Sequence, residues 1–131
     1  MKLRALVVDD SRVMRGIVMN SLRKTGLAEF EFTEAENGSD AIAKFQPDQI
    51  DILFVDWNMP QMSGIDFVRL VRAGGKTEHI PVVMVTSEKT KEKVDLALQS
   101  AGANAYITKP FTPEEMLAQL SKLMSTMTVA S

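Results

Sequence analysis

The chain has 131 residues, 45% of them hydrophobic and 24% charged, with a net charge of −2, which suits one globular domain that buries its core without staples. It contains no Cys, so a disulfide framework or a thiolate metal site is excluded, which fits a reducing compartment. No basic tract stands out, no apolar run approaches the ~20 residues of a membrane span, and MKLRALVVDDS is too short and too acidic at its end for a signal peptide, so neither nucleic acid nor membrane is an expected partner.

LRALVVD (3–9) is a short apolar run ending in acid and predicts a buried strand. From Ser11 the period changes. Met14, Ile17, Val18 and Leu22 recur at three- and four-residue steps, as on an amphipathic helix capped by Ser11 and stopped at Gly26. FEFTEA (30–35) alternates and predicts an edge strand. Asn37-Gly38 predicts a turn, and Ala41, Ile42 and Phe45 a short helix after it.

DILFVD (51–56) predicts the third strand, and residues 64–73 a helix facing inward with Ile65, Val68 and Val71, ended by Gly74-Gly75. IPVVMVT (80–86) predicts a fourth strand, with Pro81 near its start, where a missing N–H is tolerable. Val94, Ala97 and Ala101 mark a fourth helix that stops near Gly102, and ANAYIT (103–108) predicts a fifth strand. Thr112, Pro113 and Glu115 form a helix start, with Leu117, Leu120 and Leu123 expected on the core face. The domain is expected to span 1–125, with a frayed polar tail over 126–131.

Five βα repeats imply an α/β fold, with a parallel sheet carrying helices on both faces, because each crossover is right-handed. Ligands of such sheets bind beyond the carboxyl ends of the strands. Those ends here carry Asp9 and Asp10, Asp56, Thr86 with Ser87, and Lys109-Pro110. Singly, each is an ordinary turn, strand or surface residue. Four strands agreeing on one edge is what makes them a site.

Carboxylates gathered in one place repel. Two unit charges ~4 Å apart near a surface cost on the order of 4 kcal/mol. A proton or a cation relieves this, and oxygen donors suit a hard divalent ion. Mg²⁺ keeps several waters, so one or two carboxylates suffice, and the Asn58 backbone carbonyl could add another oxygen. A carboxylate ringed by Mg²⁺, an ammonium and a hydroxyl makes a phosphoryl acceptor. Asp56 is the best acceptor, ending the central strand, with Asp9 and Asp10 better placed as metal holders. Pro60 keeps Met59 out of helical geometry and Gly64 lets the next helix begin, so the loop after Asp56 stays extended.

VVDDS, FVDWNMPQMSG, MVTS and YITKPF together resemble a response-regulator receiver domain, over roughly residues 3–124 and most closely its chemotaxis members. The resemblance implies a (βα)5 doubly wound, flavodoxin-like fold with strand order 2-1-3-4-5. It implies that Asp56 is phosphorylated by a histidine kinase or a small acyl phosphate. Asp10, Asp56 and the Asn58 carbonyl would hold Mg²⁺, with Asp9 acting through a water. Lys109 would pair with the phosphoryl group, Thr86 would donate its hydroxyl, and Tyr106 would turn inward as Thr86 moves. Asn58 and Glu88 would tune the phosphoryl lifetime, and the Lys109-Pro110 bond would be cis.

The expected function is thus a cytoplasmic, monomeric switch that shows its α4-β5-α5 face to a protein such as a flagellar motor switch component. A phosphorelay intermediate or phosphate sink would use the same site, and the chain could be the receiver piece of a larger regulator. An aspartyl-phosphate hydrolase is disfavoured, because Asn58 stands where a general acid is needed and short connections leave no room for a lid. His79 has no ligand-spaced partner, and SEKTKEKVD (87–95), including Lys89, Lys91 and Lys93, is most simply a solvated helix start.

Overall fold

The computed structural model describes the backbone of residues 1–130 and the side chains of residues 1–125. Five parallel strands form one sheet in the order β2-β1-β3-β4-β5. The strands are β1 (Lys2–Val8), β2 (Glu29–Ala35), β3 (Ile52–Val55), β4 (Val82–Thr86) and β5 (Ala105–Thr108). The helices are α1 (Arg12–Thr25), α2 (Gly38–Lys44), α3 (Gly64–Ala73), α4 (Lys91–Asp95) and α5 (Pro113–Ala130). The frayed tail expected over 126–131 falls outside the residues described with side chains.

The sheet divides the core in two. On one face Ala5, Val7, Ile52, Phe54, Val83 and Val85 meet Val18 and Leu22 of α1 and Met116 and Leu120 of α5. On the other, Leu6, Val8, Leu53, Val55 and Met84 meet Ala41, Phe67, Val68 and Ala97. Alternate strand residues thus serve opposite layers, and β3 and β4 are buried along their whole length. Apolar runs end where they leave these layers, and there the polar residues collect.

Caps set the helix starts. The Ser11 hydroxyl accepts from Met14 N, Asn37 Oδ1 from Asp40 N, the Ser63 hydroxyl from Asp66 N and the Thr112 hydroxyl from Glu115 N. Gly26 closes α1 in the left-handed region at φ 69°.

Four local expectations need correcting. Asn37-Gly38 is the cap and first residue of α2, not a separate turn. Ile17 is 44% exposed, so α1 turns Val18, Ser21 and Leu22 inward instead. Among the described side chains of α5 the fully buried ones are Met116 and Leu120, with Leu117 half-buried, a rotation set by packing against α1 and β5. The fourth helix is α-helical only over Lys91–Asp95, and Leu96–Ala101 is a π turn that keeps Ala97 and Ala101 in the core.

Candidate functional site

The ends of β1, β3, β4 and β5 bring Asp9, Asp10, Asp56, Thr86 and Lys109 together. The sheet itself sets their height. Asp56 N donates to Val8 O at 2.9 Å, and Lys109 N to Thr86 O at 2.8 Å. Asp9, Asp56 and Thr86 are buried and Asp10 is exposed. One carboxylate oxygen from each of Asp9, Asp10 and Asp56 lies within 4.8 Å of the others. The Lys109-Pro110 bond is cis, as expected.

Lys109 Nζ bridges two of the acids, 2.8 Å from Asp9 Oδ2 and 3.4 Å from Asp56 Oδ2. Asp9 Oδ1 accepts from Ser11 N at 2.9 Å. Asp56 Oδ1 is buried and accepts no hydrogen bond. Burial pushes the Asp56 carboxyl above its ordinary pKa, and the charge of Asp9 adds to this. The Thr86 hydroxyl, the Lys109 ammonium and the Asn58 backbone N–H favour its charged form without offsetting the burial.

Three carboxylates against one ammonium leave the site negative, with one buried oxygen unpaired. A donor set made of carboxylate oxygens fits a hard divalent cation, and the unpaired Asp56 oxygen supplies a ligand without breaking a bond.

The loop after Asp56 is shaped by close approach. Gly64 N donates to Trp57 O, and a Cβ added to Gly64 would overlap the Asp56 carbonyl. Gln61 takes a φ of 70° in the turn, where Met62 N donates to Pro60 O. α3 begins at Gly64, where the sequence predicts a helix start.

Tyr106 is half-buried against the core, and its hydroxyl donates to Glu88 O. Burial, followed by the charges of Glu88 and Asp56, pushes its pKa up to about 12. Glu88 accepts from Asn58 Nδ2 at 3.0 Å and pairs with Lys93 Nζ at 2.9 Å. Lys93 Nζ lies 5.5 Å from the centre of the Trp57 ring.

Two residues near the site carry contacts that the linear sequence does not reveal. Lys93 reads as one of several lysines in a charge run, yet it alone among Lys89, Lys91 and Lys93 reaches Glu88 and Trp57. Arg15 donates to Asp9 O at 2.6 Å and pairs with Glu34 at 2.9 Å, bracing the end of β1. His79 is exposed in the α3–β4 loop, at the opposite edge of the sheet.

Comparison with known proteins agrees with this geometry. The model of the response regulator receiver domain matches residues 5–121. The chain is 42% identical over 125 residues to a chemotaxis protein CheY1 of Helicobacter pylori, covering 95% of this chain and 98% of that protein. It is 40% identical over 121 residues to the chemotaxis protein CheY of Pseudomonas aeruginosa, covering 92% of this chain and 95% of that one. The solved structure of the chemotaxis response regulator CheY4 of Vibrio cholerae superimposes with a TM-score of 0.79 at 35% identity, over 94% of this chain and 99% of that one. No described helix is long and apolar enough to cross a membrane. The chain belongs to the response regulator receiver domain family, among its CheY-like chemotaxis members, and is a signalling switch rather than a catalytic enzyme.

Proposed function

We propose that Asp56 is the phosphoacceptor of this receiver, and that its phosphorylation by a histidine kinase alters the α4-β5-α5 face to regulate a protein partner in the cytoplasm. The observation that carries this reading is the buried, unpaired Asp56 Oδ1 beside Lys109, Asp9 and Asp10. A carboxylate held at a strand end, with one oxygen free of hydrogen bonds, is ready to act as a nucleophile.

Asp10, Asp56 and the Asn58 carbonyl would hold Mg²⁺, with Asp9 acting through a water. When bound, Mg²⁺ offsets charge on the phosphoryl oxygens. The chain does the rest. An Asp56 oxygen forms the bond to phosphorus while the bond to the donor's histidine nitrogen breaks; its electron pair stays on the ring, which takes up a proton from solvent and leaves as neutral imidazole. Lys109 moves its attraction from the carboxylates to the added phosphoryl oxygens. The Thr86 hydroxyl, already near Asp56, donates to one of them.

The new charge biases a two-state equilibrium because one state satisfies it better. Thr86 and Tyr106 are the switch residues of this reading, joined through the β4–α4 loop, where the Tyr106 hydroxyl meets Glu88 O. The relatives' names support chemotaxis as the pathway, and the partner of this reading is a flagellar motor switch component. Binding of a motor switch peptide, measured before and after phosphorylation, tests this. Tighter binding by the phosphorylated protein is expected. Equal binding, with a different partner captured selectively, would overturn the motor assignment.

A further inference from the structure

The two loops that flank Asp56 are tied together by side chains rather than backbone. Asn58, two residues beyond Asp56, donates to one Glu88 oxygen at 3.0 Å. Lys93, in the first turns of α4, pairs with the other at 2.9 Å. Its ammonium also faces Trp57, the residue adjoining Asp56, at 5.5 Å from the ring centre. Both oxygens of Glu88 are therefore occupied, and Lys93 touches both loops. The chain already has an ammonium beside Asp56 in Lys109, and the described contacts of the Lys93 side chain are those to Glu88 and Trp57.

We propose that Lys93 is a positioning residue which, through Glu88, holds the Asn58 side chain across the approach to Asp56 and thereby slows hydrolysis of the phosphorylated protein. The proposal rests on Asp56 being the phosphoacceptor. In that hydrolysis a water oxygen forms a bond to phosphorus and the bond to the Asp56 oxygen breaks. The electron pair returns to the carboxylate, and the water's proton leaves with the phosphate. The water needs room in line with the breaking bond and a polar group to orient it. In the tied arrangement Glu88 holds the Asn58 amide and Lys93 holds the Glu88 carboxylate, so neither side chain swings freely to place a water in line with the breaking bond. Charge-assisted bonds of this kind are stronger than neutral ones and define geometry more sharply.

The link also gives α4 a lever on the site. Glu88 O is the acceptor for Tyr106, so one residue meets the approach through its side chain and the switch tyrosine through its backbone. A partner that draws Lys93 away from Glu88 would shorten the life of the phosphoryl group, and one that presses it home would lengthen it.

The test uses the full chain with Mg²⁺, phosphorylated by a small acyl phosphate and then freed of donor. The loss of the phosphoryl group is followed by intact mass. Lys93→Met keeps the aliphatic stem and removes the charge, and Lys93→Arg restores it. The expected result is loss about fivefold faster in Lys93→Met, the scale of one fixed charge-assisted bond, and close to the wild-type rate in Lys93→Arg. In a Glu88→Gln background the Lys93→Met change should have no further effect, because Lys93 acts through Glu88. Unchanged thermal unfolding separates positioning from general destabilisation. Equal rates in wild type and Lys93→Met, or the same acceleration in both backgrounds, would overturn the proposal and leave the phosphoacceptor reading standing. Failure of the wild type to take up any phosphoryl group would overturn both.

Discussion

Lys109 Nζ sits 2.8 Å from Asp9 Oδ2, nearer than its 3.4 Å to Asp56 Oδ2. The ammonium thus rests on Asp9 and leans toward Asp56. A phosphoryl group on Asp56 offers it more negative charge than either carboxylate. Lys109→Met should lower the rate of phosphoryl uptake from a small acyl phosphate by about 100-fold, the scale of losing one preorganised donor. Stopped-flow Trp57 fluorescence would read it. Lys109→Arg should rescue poorly, because a planar fork does not replace a compact ammonium in a site this buried. A Lys109→Met rate within about twofold of wild type would remove Lys109 from the transition state.

Asp56 makes a pH-dependent demand on stability. Its folded pKa is raised above the ordinary 3.8, chiefly by burial. Its contribution to stability is therefore fully present below the unfolded pKa and is lost as pH rises through the folded one. At neutral pH the charged group weighs against folding. In chelator, Asp56→Asn should be more stable than wild type by on the order of 1 kcal/mol at neutral pH. The difference should fade toward about pH 4. Urea unfolding at several pH values would measure it. Saturating Mg²⁺ should stabilise the wild type and the variant less, since a ligand stabilises the state that binds it.

The chain has one tyrosine, so its titration is assignable. Tyr106 should ionise near pH 12 rather than 10.0, because burial and the charges of Glu88 and Asp56 oppose the phenolate. The ultraviolet absorbance of tyrosinate, followed alongside a folding signal, would show this. A midpoint near 10.0 in the folded protein would mean that the ring is solvated and its bond to Glu88 O is not made.

Gly64 has no room for a side chain. A Cβ there would meet the Asp56 carbonyl and the Val55 side chain, so the strand end or the start of α3 has to move. Gly64→Ala should cost about 3 kcal/mol, in the range of overpacked cores. It should also slow phosphoryl uptake, because the moved backbone carries Asp56, the proposed acceptor. Chemical unfolding and the uptake rate, measured together, check both halves. Loss of stability with uptake unchanged would show that the helix start yields instead of the strand end.

The order of elements was legible because β1, β3 and β4 are short apolar runs closed by a polar residue, β2 alternates, and α1 and α5 open on side-chain caps. Asp9, Asp10, Asp56, Thr86 and Lys109 could be grouped from the chain itself, since parallel strands put their carboxyl ends on one edge. Finer matters are decided by packing. Leu117 and Met116 are equally apolar neighbours, and only the seat of α5 against α1 and β5 selects Met116. The π turn at Leu96–Ala101 leaves no mark in composition, as Ala97 and Ala101 suit an α-helix equally well. Lys93 was hidden for another reason. Its partners Trp57 and Glu88 lie on different loops, and nothing in SEKTKEKVD singles out one lysine until the fold brings those loops together.

The most direct test of the central claim is the intact mass of wild type and Asp56→Asn after incubation with Mg²⁺ and a small acyl phosphate. The wild type should gain one phosphoryl group, and the gain should be abolished by chelator and absent from the variant. A gain of the same size in Asp56→Asn, or none in the wild type even with a cognate histidine kinase, would contradict that claim.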